Sequence, residues 1–149
     1  MGITVSGVGL SIRMIASQTF PGGFDITHFA DDSDPLDLPP INQGNAEMGL
    51  NGDLVRWDVA VPIPMTVAVI PTSDSQANLA ILAERNRVGR GKTSARDQLT
   101  AVVRYPDNNI VTLTGGIITN APPGRSLAAA KRQKSMVYSF MFENRVGDI

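Results

Sequence analysis

Apolar residues recur at every second position in two stretches of the chain. In 135–143, Met136, Tyr138, Phe140 and Phe142 fall on one face, with Ser135, Ser139 and Glu143 on the other. In 54–61, Val55, Trp57, Val59 and Val61 point one way, and Arg56 and Asp58 the other. A period of two is that of a strand with one face buried. Weaker alternation predicts strands at 3–6, 8–16, 24–29, 65–70, 99–105 and 110–119. Asn51-Gly52 predicts a hairpin, because both residues tolerate the positive φ of a type I′ turn. Pro21-Gly22-Gly23 and Pro106-Asp107-Asn108-Asn109 predict further turns.

The period changes once. Over about 74–87, Leu79, Leu82, Ala83 and Asn86 form a narrow helical stripe, with Ile81 and Arg85 beside it. Ser73 and Gln76 fit a capping box at its start, and Gly89 is placed to end it as a C′ glycine. One helix among many strands predicts a mainly β fold, a sandwich or barrel of two packed sheets with a flanking helix. The 149 residues suit a single domain, 1–149. Two long stretches lack any period and are read as loops. The stretch 30–46 holds Asp31, Asp32, Asp34, Asp37 and three prolines; 120–134 holds Pro122, Pro123, Arg125, Lys131, Arg132 and Lys134.

Composition adds constraints. At 42% hydrophobic and 18% charged residues the chain is globular in type. With no cysteine, neither disulfides nor thiolate metal sites can hold it together. No segment approaches the ~20 apolar residues of a membrane-spanning helix, and the start carries no basic leader, so a soluble, unprocessed chain is expected. The net charge of −1 conceals an asymmetry. Residues 1–84 hold two basic and ten acidic residues; residues 85–149 hold eleven basic and four acidic ones. Either folding mixes the halves, or the molecule has two faces of opposite sign that attract each other between copies.

Tests for chemistry are negative. His28 is the sole histidine, and no Gly-x-Ser-x-Gly accompanies it. The aspartates from Asp31 to Asp37 miss the glycine and glutamate positions of a calcium loop. Gly91-Lys92-Thr93 resembles the end of a phosphate-binding loop, but Asn86 stands where the first glycine belongs, and a helix precedes it instead of a strand. The basic run from Arg125 to Lys134 has no aromatic residue for stacking bases. No catalytic residue, cofactor or metal ligand is assigned, and an enzyme is not expected.

Several segments together resemble a family. They are Ile3-Thr4-Val5-Ser6-Gly7-Val8-Gly9, Phe20-Pro21-Gly22-Gly23-Phe24 with Phe29-Ala30-Asp31-Asp32, Met48-Gly49-Leu50-Asn51-Gly52-Asp53-Leu54, and Asn78-Leu79-Ala80-Ile81-Leu82 with Val88-Gly89-Arg90-Gly91-Lys92. Val111-Thr112-Leu113-Thr114-Gly115-Gly116 and Tyr138-Ser139-Phe140-Met141-Phe142-Glu143-Asn144 complete them. In order and spacing they resemble the tail tube proteins of contractile-tailed, myovirus-type bacteriophages. The resemblance implies a two-sheet fold whose copies form hexameric rings, stacked into a hollow tube that delivers DNA. It implies self-association, and contact with tail sheath, baseplate hub, tape measure and tail terminator proteins. It also implies a place in the virion tail after assembly in the host bacterial cytoplasm. Asp31, Asp32, Asp34 and Asp37 on one side, and Arg125, Lys131, Arg132 and Lys134 on the other, are then the candidate subunit interface. Asp25, Asp53 and Asp58 are the lumen-facing candidates by strand parity. The alternative is a small β-barrel nucleic-acid-binding module using Arg85 to Arg96 and Arg125 to Lys134.

Overall fold

The computed structural model describes residues 10–29, 35–124 and 134–147. Ten strands and one helix follow in the order β1 Ser11–Ala16, β2 Phe20–Ile26, β3 Leu36–Asp37, β4 Gly44–Met48, β5 Leu54–Asp58, β6 Ile63–Val69, α1 Asp74–Asn86, β7 Leu99–Arg104, β8 Ile110–Asn120, β9 Met136–Phe142 and β10 Asn144–Gly147. Hydrogen bonds link eight strands in the order β2-β1-β7-β8-β9-β6-β3, with β10 also on β8; β4 and β5 form a separate hairpin. All the strand pairs are antiparallel. The path does not close, so the fold is a β-sandwich.

The two layers share β8. Its first half, Val111–Thr114, pairs with β7 and β10, and its second half pairs with β9. The break falls at Gly115-Gly116, where the β7 register shifts. Gly115 has φ +65, and a Cβ on Gly116 would lie 2.4 Å from the Phe142 ring. An L side chain at either place would clash or strain, so this glycine pair lets one strand serve two sheets.

Alternation then fills the space between the layers. Met136, Tyr138, Phe140 and Phe142 of β9 are all buried, as the sequence predicts. They join Ile12, Met14, Met65, Val67, Leu99, Val103 and Leu113 in one core. Helix α1 adds Leu79 and Leu82 to it. The Ser73 side chain accepts from the Gln76 backbone N–H at 3.2 Å, half of the expected capping box. The Gln76 side chain does not return to Ser73; it donates to Tyr138 Oη at 3.4 Å.

Other details differ from expectation. Pro21-Gly22-Gly23 is not a turn: it lies within β2 as a bulge opposite the shift between Met14 and Ala16, and Gly23 has φ +80. The turn is at 17–19, ahead of it. The stretch 30–46 is only partly loop. Its residues 30–34 lie outside the described residues, Leu36 and Asp37 pair with Val67 and Thr66, and β4 begins at Gly44. Gly89 is not a C′ glycine, because Arg87 leaves the helix in extended conformation and the positive φ falls on Gly91 instead. No helix among the described residues is long and apolar enough to cross a membrane.

Candidate assembly surface

The hairpin β4–β5 stands apart from this core. Five residue pairs hold it, from Gly44↔Asp58 to Met48↔Leu54, and Val59 N–H donates to Gln43 O at its base. Its turn differs from the type I′ expectation. Gly52 N–H donates to Gly49 O, Gly49 N–H to Asp53 O, and only Gly52 has positive φ. Leu50 and Asn51 are thus the central residues, and the glycine closes the turn.

Directly opposed residues in an antiparallel pair share a face. Val55 and Trp57 therefore share one with Glu47 and Asn45, while Met48 and Leu54 share the other with Ala46 and Arg56. The sequence predicts the Val55, Trp57 and Val59 side to be buried. It is not: every residue of β4 and β5 is exposed, and Trp57 retains 48% of its surface. Among the described residues nothing supplies the packing that alternation asks for, and apolar residues on both faces are exposed.

Strand edges are open too. β8 pairs with β7 only as far as Gly116, so Ile117–Asn120 has β9 on one side and no strand on the other among the described residues. At the far side of the same layer, β3 covers Thr66 and Val67 of β6, Ala68 N–H donates to Pro35 O, and Val69 bridges Phe29, which leaves Ile63–Met65 with no strand there among the described residues. Unpaired N–H and C=O rows of this kind are templates for another chain.

A groove of about 790 Å³ opens at the hairpin base. Leu38, Pro39, Ile41, Tyr105 and Val111 line it, with Arg145 at its wall.

The sequence-predicted site residues scatter. Asp31, Asp32, Asp34, Arg125, Lys131 and Arg132 lie outside the described residues. Asp37 is exposed on β3, and Lys134 is exposed just before β9. They are not adjacent: the row of Asp37 runs through Thr66 to Ser139, five residues and about 17 Å along β9 from Lys134. Asp25 lies on β2 and pairs with Arg13 at 3.0 Å, at the opposite end of the strand order from β3. Asp53 and Asp58 both belong to the exposed hairpin.

Two of the cations between 85 and 96 are engaged internally. Arg87 pairs with Glu84 at 2.9 Å. Lys92 Nζ donates to the Glu84 and Arg87 carbonyls, completing the helix C-terminus. This contact replaces the phosphate role that Gly91-Lys92-Thr93 superficially suggests. His28 is exposed, with Nδ1 3.3 Å from Ser75 Oγ; that hydroxyl is buried and also faces the Thr27 and His28 backbone N–H groups. Among the described residues no cluster of three or more His, Asp or Glu could hold a metal.

Sequence reasoning passed over one polar centre, Asp97. Burial opposes its charge most strongly. Hydrogen bonds from Thr19 Oγ1, Asn86 Nδ2 and the Thr19 and Gln18 backbone N–H groups together outweigh that and hold its carboxyl below the usual range. Its own N–H donates to Asn86 Oδ1 at 3.0 Å. It therefore ties the β1–β2 turn to the helix end, a structural task. An isolated aspartate in a polar stretch carries no periodic signal of such a role.

The described residues thus form a sandwich with open strand edges and an apolar hairpin left uncovered. The fold is similar to a chain in the cryo-EM structure of the anti-feeding prophage (AFP) baseplate, 6-fold symmetrised, with TM-score 0.55 at 11% identity, covering 99% of this chain and 97% of that one. A family profile described as tail fiber protein gp32 matches residues 3–146. The chain belongs to that family and is a structural component of a phage tail. No curated protein sequence matches it.

Proposed function

We propose that the chain is a tail tube subunit. Copies join edge to edge through the β8-β9-β6-β3 layer into a ring, six to a ring, and rings stack into the hollow inner tube of a contractile tail. Phage DNA passes through that tube into the host. The observation that carries this reading is the hairpin: ten strand residues, all exposed, with apolar side chains on both faces. A two-stranded hairpin is marginal by itself in water, so a surface of this kind fits a subunit whose cover comes from other copies. The family places the chain in a phage tail, and the similar fold occurs in an assembly solved with six-fold symmetry.

Asp58, which continues the Arg56 face of the hairpin, and Asp53, which continues the Val55 face, are alternative lumen-facing candidates, since an acidic group there repels passing phosphate. Asp25, the third candidate, is ion-paired with Arg13 at the other end of the strand order. The outer wall of such a tube meets the sheath, and its ends and interior meet the baseplate hub, terminator and tape measure proteins. Assembly takes place in the host cytoplasm. Electron microscopy of the concentrated protein tests the reading: rings or tubes with a central hole are expected. A monomer at every concentration, or solid fibrils, contradicts it.

A further inference from the structure

We propose that Asn51-Gly52, at the hairpin turn, is a site of spontaneous covalent modification, where the Gly52 backbone nitrogen attacks the Asn51 side chain and converts the asparagine into aspartate and isoaspartate. The reaction belongs to the dilute chain, whatever that chain assembles into. Gly52 N gives up its proton to hydroxide and bonds to Asn51 Cγ. The Cγ–Nδ2 bond breaks, Nδ2 takes up a proton, and ammonia leaves a cyclic imide behind. Water then opens the imide. Breaking the bond from Gly52 N to Cγ leaves aspartate. Breaking the bond from Gly52 N to the Asn51 carbonyl carbon leaves isoaspartate, in which the main chain runs through the side chain. Water is consumed and ammonia released, with no oxidant or reductant.

Sequence and geometry single out this pair. Asn51 is the one asparagine of the chain that glycine follows. A glycine nitrogen is the least hindered of backbone nucleophiles, because no Cβ stands beside it. Around Gly52 there is open space: nothing lies within 4 Å of where a Cβ would be. Asn51 is exposed at the centre of the turn, so water and hydroxide reach it. Gly52 N–H is engaged by one hydrogen bond, to Gly49 O at 3.0 Å. That bond closes a hairpin whose strand residues are all exposed. A two-stranded hairpin is marginal in water, so its turn opens locally at small free-energy cost and frees the nitrogen.

Asn108 supplies the contrast. It too is exposed in a turn between two strands, with positive φ. Its successor, Asn109, carries a side chain, and the Asn109 N–H is held by Asp107 Oδ1 at 3.2 Å. Asn86 is tied down further: its amide donates to Leu82 O and Asp97 and accepts from the Asp97 N–H. At Asn51 the product adds a carboxylate beside Asp53. As isoaspartate it also lengthens the main chain by a carbon, in a turn closed by the Gly52-to-Gly49 and Gly49-to-Asp53 hydrogen bonds. The tip thus gains negative charge and loses the spacing that those bonds require.

The test keeps the full chain dilute in warm, mildly alkaline buffer and maps digested samples by mass spectrometry over days, with chromatography separating aspartate from isoaspartate peptides. Asn51 is expected to convert at least about tenfold faster than Asn108, the ratio given by a barrier lower by about 1.4 kcal/mol, and to yield both products. Gly52→Ala brings Asn51 down to the Asn108 rate. Alanine is strained at the positive φ of Gly52, so the pair of chains is also compared in urea, where neither has a turn. There Asn51 before glycine still outruns Asn51 before alanine. A ratio to Asn108 short of tenfold in the folded chain, conversion confined to urea, aspartate without isoaspartate, or an unchanged rate in Gly52→Ala overturns the proposal.

Discussion

β9 and β5 carry the same pattern and meet opposite fates. In β9, Met136, Tyr138, Phe140 and Phe142 are each no more than 4% exposed. In β5, Val55 and Trp57 alternate just as regularly with charged neighbours and stay half exposed. The difference lies in the neighbours. β9 has β6 and β8 along its two edges and the rest of the sandwich against its inner face. β5 has only β4. Alternation announces that a face needs cover; it does not say which chain supplies it.

The sharpest way to break the comparison is truncation on each side of it. Phe140→Ala should cost about 3–5 kcal/mol of folding stability, the range for emptying a packed aromatic site, measured by urea unfolding of the dilute protein. A loss below about 1 kcal/mol would mean that the β9 face is not the core described.

Next in size is Asp97, which ties elements of the sandwich and none of the hairpin. Asp97→Asn should cost about 2–3 kcal/mol at neutral pH, the scale for a hydrogen-bonded charge, and leave hydrogen exchange in 44–58 unchanged. Because its folded pKa is lowered, its contribution is complete above the unfolded carboxyl value, near 4. It is lost as pH falls through the lower folded value. Unfolding curves between about pH 5 and pH 2 should therefore be flatter for Asp97→Asn than for the unmodified chain. Parallel curves would remove the carboxylate from the account.

A smaller effect belongs to the shared strand. Gly116→Ala should cost about 1–3 kcal/mol, because its methyl group must displace the buried Phe142 ring; thermal unfolding reads this. The smallest effect is on the hairpin: Trp57→Ser should change the stability of the dilute chain by no more than about 0.5 kcal/mol, while assembly at high concentration fails. If Trp57→Ser instead destabilises the dilute chain as Phe140→Ala does, the hairpin is covered within the chain and the contrast dissolves.

Much of this architecture was legible. Strong alternation located β9, the weaker runs located β1, β6, β7 and β8, and the Ser73 cap and leucine spacing located α1. The errors share a physical cause. Pro21-Gly22-Gly23 reads as a turn because glycine serves turns and bulges alike, and only the register against β1 separates the two. β3 was hidden in an aspartate- and proline-rich stretch, since two residues cannot display a period. Asn51-Gly52 marked the right hairpin with the wrong turn, because the 49–53 hydrogen bonds set the geometry. The candidate surface was less legible. Charge pointed to Asp37 and Lys134 as two sides of a contact between copies, and both are exposed and stand well apart, while the uncovered residues are apolar ones that sequence assigns to a core.

The central claim is that other copies cover the hairpin, and the chain carries its own probe. Trp57 is the sole tryptophan, half exposed on the face in question. Its fluorescence and its quenching by acrylamide can be followed from the dilute chain to the high concentrations at which rings and tubes are proposed to form. The account predicts a blue-shifted emission and loss of quenching that track assembly and reverse on dissociation. Emission and quenching that stay the same in tubes and in the dilute chain would contradict it.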